Sequence, residues 1–176
     1  TPTPDTSSAA SDVYKRQIEI MIPLISIKAE LERTLGWIRE EIKDSPISIP
    51  LGTMIETPRA ALIAGDLAPL VDFMSFGTND LTQMTYGFSR DDVEASVIKK
   101  YIEMDILQKS PFAQLDALGV GKLVQEAIKG SRAANPEIKI GICGEHGGDP
   151  TSIRFLANSG VTDVSCSPPR IPRARV

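Results

Sequence analysis

Short apolar runs alternate along this chain with stretches whose apolar residues fall three and four positions apart. The runs at residues 18–22, 51–55, 72–76, 138–142 and 163–166 predict five strands. Between the first two, Leu31, Leu35, Ile38 and Ile42 predict a helix that Ser26 can cap. After the second, Thr57 is a cap residue and Pro58 suits the first helical position. The helix they open carries Ala60, Ala61, Ala64, Leu67, Ala68 and Val71 on one face. A longer connection follows the third strand. It holds a stripe of Val93, Val97 and Tyr101, a Ser110-Pro111-Phe112 turn, and a helix marked by Val120, Leu123, Val124, Ala127 and Ile128. Gly130 is expected to end that helix. A short helix around Ile153 and Leu156 stops at Gly160. Repeated βα order predicts a parallel sheet covered by helices, and near-continuous apolar strands are expected where both faces are buried. An open doubly wound sheet and part of a (β/α)8 barrel both fit. In either, the polar, Gly-rich segments after the strands collect at the C-terminal edge, where active sites form.

Residues 1–17 break from this pattern. They are rich in Thr, Ser, Pro and Ala, show no apolar period, and read as a disordered or foreign tail before a domain over 18–176. Composition narrows the function classes. A hydrophobic share of 41% and a charged share of 24% are those of an ordinary soluble domain. The net charge of −4, with no block of Lys and Arg, argues against a nucleic-acid surface. No apolar run approaches the roughly 18 residues needed for a membrane helix, and the first residues lack the core of a signal peptide. Two cysteines, Cys143 and Cys166, make no disulfide scaffold and suit a reducing, cytoplasmic compartment.

Candidate chemistry sits just after the strands. Glu56 follows the second strand, where it can be a capping carboxylate or a group aimed into a site. Asp80 closes Gly77-Thr78-Asn79-Asp80 after the third. Turn chemistry alone explains such residues, but two carboxylates at neighbouring strand ends also suffice for Mg2+, which fills its octahedron with water and substrate oxygens. Gly77 and Thr78 offer backbone N–H groups to an anion, and Asn79 adds an amide donor. Cys143 ends the fourth strand. Its flanking glycines and His146, the chain's single histidine, suggest an exposed, polarised thiol able to give or take a proton. Cys166 reads as core. Arg59 reads as a surface or salt-bridging residue, Arg90 as a partner for Asp91 or Asp92 or for another domain, and Arg170 as a loop support within reach of an anion. There is no Cys-x-x-Cys, P-loop or dinucleotide fingerprint.

Three segments carry a resemblance. Gly52-Thr53-Met54-Ile55-Glu56-Thr57-Pro58-Arg59-Ala60 resembles the metal-glutamate segment of the phosphoenolpyruvate-utilising enzyme family. Ser75-Phe76-Gly77-Thr78-Asn79-Asp80-Leu81-Thr82-Gln83 resembles its second metal motif, and Gly141-Ile142-Cys143-Gly144-Glu145-His146-Gly147-Gly148 its catalytic-cysteine loop. The three stand in family order. Thr85-Tyr86-Gly87-Phe88-Ser89-Arg90-Asp91-Asp92, the Cys-Gly-Glu-His-Gly-Gly loop and Ser165-Cys166-Ser167-Pro168-Pro169-Arg170 are most similar to the branch that interconverts pyruvate, ATP and phosphate with phosphoenolpyruvate (PEP), AMP and diphosphate.

The resemblance implies a (β/α)8 barrel of TIM type, here incomplete, with about its C-terminal five strands. Glu56 and Asp80 would bind Mg2+. Glu56, Gly77, Thr78, Asn79 and Asp80 would contact PEP or pyruvate. Cys143 would be the acid/base at the substrate's methyl carbon. The implied partners are a phosphohistidine swivel domain and a nucleotide-binding domain, neither of them in this sequence, and a second copy of the complete enzyme in a homodimer. His146 does not match the phosphohistidine motif. Two other readings stand beside this one: a Mg-dependent lyase on a related barrel that also makes a pyruvate enolate, and a truncated piece inert by itself.

Overall fold

The structure, a computed structural model, describes residues 18–174, so the expected tail at 1–17 lies outside the described residues. Five parallel strands form one sheet: β1 (Ile20–Ile22), β2 (Leu51–Ile55), β3 (Phe73–Gly77), β4 (Lys139–Cys143) and β5 (Asp163–Val164). Their order in the sheet is their order in the chain. That decides between the two architectures left open by the sequence. A doubly wound sheet must reverse its strand order at a switch point, whereas a barrel advances one strand at a time. The sheet advances, as a segment of a barrel does.

The helices are α1 (Lys28–Glu41), α2 (Pro58–Leu62), α3 (Ala64–Leu67), α4 (Thr78–Tyr86), α5 (Arg90–Val93), α6 (Lys99–Glu103), α7 (Val120–Ala134), α8 (Pro150–Asn158) and α9 (Ile171–Ala174). They cover one face of the sheet. Leu51, Ile55, Met74, Phe76, Ile140 and Ile142 point into that face and join Leu31, Leu35, Ala60, Leu67, Val124 and Leu156 in one core. The strands are therefore not sealed on both sides, as their apolar character suggests. The alternate residues Phe73, Ser75, Gly141 and Cys143 are half-buried on the concave face, where Phe73, Ser75 and Gly141 line an open depression with Met21, Asp163 and Ser165. Gly52 has no side chain because the Phe73 ring lies where one would be: a Cβ there would stand 2.4 Å from the ring.

Local signals held where caps decided them. Thr57 accepts from the Ala60 N–H at 3.1 Å, with Pro58 opening α2. Ser26 does not cap α1. The Glu30 carboxylate reaches back to the N–H groups of Ser26 and Ile27, which frees the Ser26 hydroxyl to meet Thr57. Gly130 does not end its helix either. α7 runs through it to Ala134, and Gly130 serves a close crossing: a Cβ on Gly65 of α3 would lie 3.0 Å from the Gly130 carbonyl. The Val93 stripe shifts as well. A five-residue π-turn, Glu94–Ile98, inserts an extra residue, so Ile98 is the buried anchor while Tyr101 is exposed.

Among the described residues, β1 and β5 each have an outer edge without a strand partner. Exposed backbone edges recruit other chains. The isolated polypeptide is expected to sediment as species heavier than its 19.0 kDa monomer. A single monomeric boundary at micromolar concentration would contradict this.

Candidate active site

Strand alternation places the chemistry. Residues two apart share a face. Met54 and Glu56 continue the concave phase of β2, Ser75 and Gly77 that of β3, and Gly141 and Cys143 that of β4. Register then brings Gly77 level with Cys143 on the neighbouring strand. Glu56, Gly77 and Cys143 thus meet at the C-terminal edge of three adjacent strands, and Asp80 follows in the first turn of α4.

Glu56 is only 4% exposed. Its Oε1 accepts from the Leu24 N–H at 2.7 Å. Leu24 has φ of 54°, a left-handed conformation that costs a non-glycine residue about 1–2 kcal/mol; the strain turns that N–H onto the carboxylate. Burial pushes the Glu56 carboxyl above its ordinary range. The Leu24 hydrogen bond opposes this, and the charge and carboxyl contact of Asp80 add to the rise. The two acids are therefore within each other's reach. Gly77 makes room for the Glu56 side chain, because a Cβ there would fall 2.5 Å from Glu56 Oε2 and 2.7 Å from Met54 Sδ. Gln83 steadies Asp80 by donating from Nε2 to Oδ1 at 3.0 Å.

No cluster of three or more His, Cys, Asp or Glu groups suited to a metal occurs among the described residues. The fit to a divalent ion rests on the pair alone. A buried carboxylate, Glu56, held above its ordinary range beside the half-buried Asp80 is a donor set that a hard dication would relieve, and Mg2+ uses one or two carboxylates with water and substrate oxygens.

The first N–H groups of α4 are donors that an anion could use. A helix of nine residues begins at Thr78 with no side-chain cap, so its first amides have no intrahelical acceptor. The Asn79 carboxamide is oriented: Oδ1 accepts from the Glu145 N–H at 3.3 Å, leaving Nδ2 as a donor. Gly144, with φ of 103°, allows the approach, since a Cβ there would stand 2.9 Å from Asn79 Oδ1. The Thr78 side chain is fully buried, so only its backbone can serve a ligand.

Cys143 is half-buried rather than exposed. Burial pushes its thiol up; a Ser75 hydrogen bond opposes this, and the charges of Glu56 and Asp80 push in the same direction as burial. These surroundings disfavour the thiolate, opposite to the polarised thiol that the sequence suggests. It borders a cavity of about 410 Å³ with Asn79, Glu145, Cys166, Ser167 and Arg170 among the walls. Glu56 and Asp80 are not in those walls, so Cys143 is the side chain shared by the cavity and the acidic pair. Cys166 corrects the sequence reading: it lies beyond β5, is half-buried, and faces this cavity instead of the core.

His146 does not supply the exposed setting beside the thiol that the sequence suggests. It is 0% exposed, and both ring nitrogens are engaged, Nδ1 with Thr78 Oγ1 and Nε2 with the Pro111 carbonyl, each at 2.8 Å. Burial is the main force holding its pKa below the usual histidine value. The unfolded chain therefore takes up a proton that the folded ring refuses. Its contribution to stability is complete above about pH 6.5 and is lost as pH falls through the lowered value. The melting temperature is expected to start falling near that pH on acidification, and less steeply in His146→Gln. Equal slopes in the two proteins would contradict this.

Arg59 lies at the surface and Arg170 supports the loop, as expected, whereas Arg90 found other partners than its sequence neighbours. Arg59 donates to the Ser26 carbonyl. Arg90 pairs with Glu94 at 3.0 Å and Glu145 at 3.1 Å, not with Asp91 or Asp92, and stacks on Phe112. Burial would raise the Glu145 carboxyl, but the hydrogen bond and charge of Arg90 bring it below its ordinary range. Arg170 donates to the Glu145 carbonyl at 3.1 Å and so supports the loop. Leu24, Ser75 and Gln83 were missed. Their partners are 32, 68 and 3 residues away, and only the last spacing was open to sequence reasoning.

No helix among the described residues is long and apolar enough to cross a membrane. The fold is similar to that of a citrate lyase from Burkholderia xenovorans LB400, with a TM-score of 0.60 over 89% of this chain and 47% of that one; at 17% identity the likeness is one of fold alone. In sequence the chain is 50% identical over 164 residues to pyruvate, phosphate dikinase 2 of Oryza sativa, and 51% identical to pyruvate, phosphate dikinase 1, chloroplastic, of Arabidopsis thaliana. It is 49% identical over 180 residues to pyruvate, phosphate dikinase of Rickettsia prowazekii. These alignments take in 90–96% of this chain but only 17–20% of the relatives' length. The family model for the PEP-binding domain of PEP-utilising enzymes matches residues 7–176, and the chain belongs to that family.

Proposed function

We propose that this chain is the PEP- and pyruvate-binding part of a pyruvate, phosphate dikinase, and that it carries the proton-transfer and enolate half of the reaction. In the whole reaction, pyruvate, ATP and phosphate interconvert with PEP, AMP and diphosphate. A swivelling phosphohistidine domain and a nucleotide-binding domain would supply the phosphoryl group, in an enzyme that pairs as a homodimer on a complete (β/α)8 barrel in a reducing, cytoplasmic setting. One observation carries the reading: Glu56, Asp80 and Cys143 converge at the ends of neighbouring strands.

Glu56 and Asp80 hold Mg2+ in this reading. When bound, the ion draws negative charge from the enolate oxygen and the phosphoryl group. The free amides at the start of α4, with Asn79 Nδ2, bind the substrate's anionic oxygens. Towards PEP, the Cys143 thiolate takes a proton from the pyruvate methyl, and the enolate oxygen attacks the phosphorus carried by the swivel domain's histidine, whose P–N bond breaks to leave the free imidazole. Towards pyruvate, the O–P bond breaks as the phosphoryl group passes to the swivel domain's histidine, and the thiol gives its proton to the methylene carbon. A thiol held in its protonated form is suited to that second task. His146 is not the phosphoryl carrier: its ring is buried and both nitrogens are occupied.

The test is exchange of pyruvate methyl hydrogens for deuterium, followed by proton NMR with and without Mg2+. The chain is expected to catalyse Mg2+-dependent exchange and Glu56→Gln to lose it. Absence of exchange in the unaltered chain at millimolar pyruvate would overturn the reading. The same polypeptide is expected to show no pyruvate phosphorylation with ATP and phosphate, and measurable turnover would overturn the assignment of phosphoryl supply to other domains. The lyase reading has only a distant likeness of fold in its favour; release of pyruvate from a larger keto acid would revive it.

A further inference from the structure

The chain's single histidine lies three residues after the candidate acid/base and touches neither Glu56 nor Asp80. Its environment is nonetheless specific. A carbonyl can only accept, so Nε2 carries the proton given to Pro111. Burial disfavours a charged ring, so Nδ1 is left with a lone pair and accepts the Thr78 hydroxyl. That hydroxyl is also 3.2 Å from the Cys143 carbonyl oxygen. One imidazole therefore ties together three pieces remote in sequence: the start of α4, the turn at Pro111, and the turn that follows β4. The last of these needs such an anchor. Gly144 has φ of 103°, and three glycines within residues 144–148 leave it little rigidity of its own. The half-buried Arg90 and the exposed Arg170 hold Glu145, whereas the His146 ring holds the turn from the interior.

We propose that His146 is a positioning residue for Cys143: its ring pins the turn after β4 against Thr78 and Pro111, and so fixes where the thiol stands beside Glu56 and Asp80. It takes no part in proton transfer. The consequence for catalysis rests on Cys143 being the acid/base, but the positioning itself can be read without any turnover. Cys143 and Cys166 border the same cavity, so the second thiol is an internal control for general loosening.

The experiment is alkylation of the reduced chain with iodoacetamide at one pH, with the rate at each cysteine followed by peptide mass spectrometry. His146→Ala and Thr78→Val are expected to raise the ratio of the Cys143 rate to the Cys166 rate by about fivefold or more, the weight of one hydrogen bond. Thr78→Ser, which keeps the hydroxyl, is expected to restore the original ratio. An unchanged ratio in a folded His146→Ala or Thr78→Val protein, or an equal rise at both cysteines, overturns the proposal. If His146→Ala fails to give a cooperative melt, the Thr78→Val and Thr78→Ser pair decides. Failure of the functional reading has a different mark: methyl exchange indifferent to Cys143, with the thiol ratio still responding to His146.

Discussion

Replacing Cys143 by alanine is expected to slow exchange of the pyruvate methyl hydrogens by about two to four orders of magnitude, the usual weight of a positioned acid or base. Mg2+ affinity is expected to be unchanged, because the thiol is not a ligand in the proposed site. The effect has a pH signature. Burial and the two nearby carboxylates push the thiol up, so the thiolate that removes a proton from pyruvate forms at higher pH than an ordinary cysteine would allow. The rising limb of the exchange profile is therefore displaced to the alkaline side. Mg2+ bound at the proposed Glu56 and Asp80 site would offset their charge and is expected to move the limb back towards neutrality. Exchange rates across pH, with and without Mg2+, check both statements. A Cys143→Ala protein that exchanges at the original rate would remove the thiol from the chemistry.

A single methyl group at Gly77 is expected to do comparable damage without touching a reacting side chain. An alanine Cβ would stand 2.5 Å from Glu56 Oε2 and 2.7 Å from Met54 Sδ, closer than real contacts permit. Either the carboxylate or the β3 backbone must move. Overpacking of this kind costs about 1–3 kcal/mol. Displacing a ligand from its oriented position weakens metal affinity by roughly 10–100-fold, as loss of supporting contacts does elsewhere. Calorimetric titration with Mg2+ and thermal melting of Gly77→Ala read the two effects separately. Retained affinity and stability would mean that Glu56 does not depend on the empty space above Gly77.

Much of this was present in the linear order of residues. The βα alternation, the five strands and the Thr57-Pro58 cap follow from spacing and local backbone chemistry, which act over a few residues. So does the placement of Glu56, Asp80 and Cys143 at or just beyond strand ends, and the family motifs around them named the same residues. Where a local rule failed, a longer contact had overridden it. Gly130 continues its helix because the crossing with Gly65 needs a residue without a side chain. Ser26 yields its capping role to Glu30, and Cys166 leaves the core because β5 stops at Val164.

The sequence by itself determined the fold class, the candidate acids and the candidate thiol, since periodicity and motif are properties of neighbours along the chain. Only the tertiary structure decided that the strands advance in barrel order, that Glu56 packs over Gly77 beside Asp80, that burial pushes the Cys143 thiol up, and that the His146 ring is buried with both nitrogens engaged. Each of these depends on register and burial between segments 20 to 70 residues apart, where hydrogen bonding and desolvation are set by which atoms face one another across the sheet.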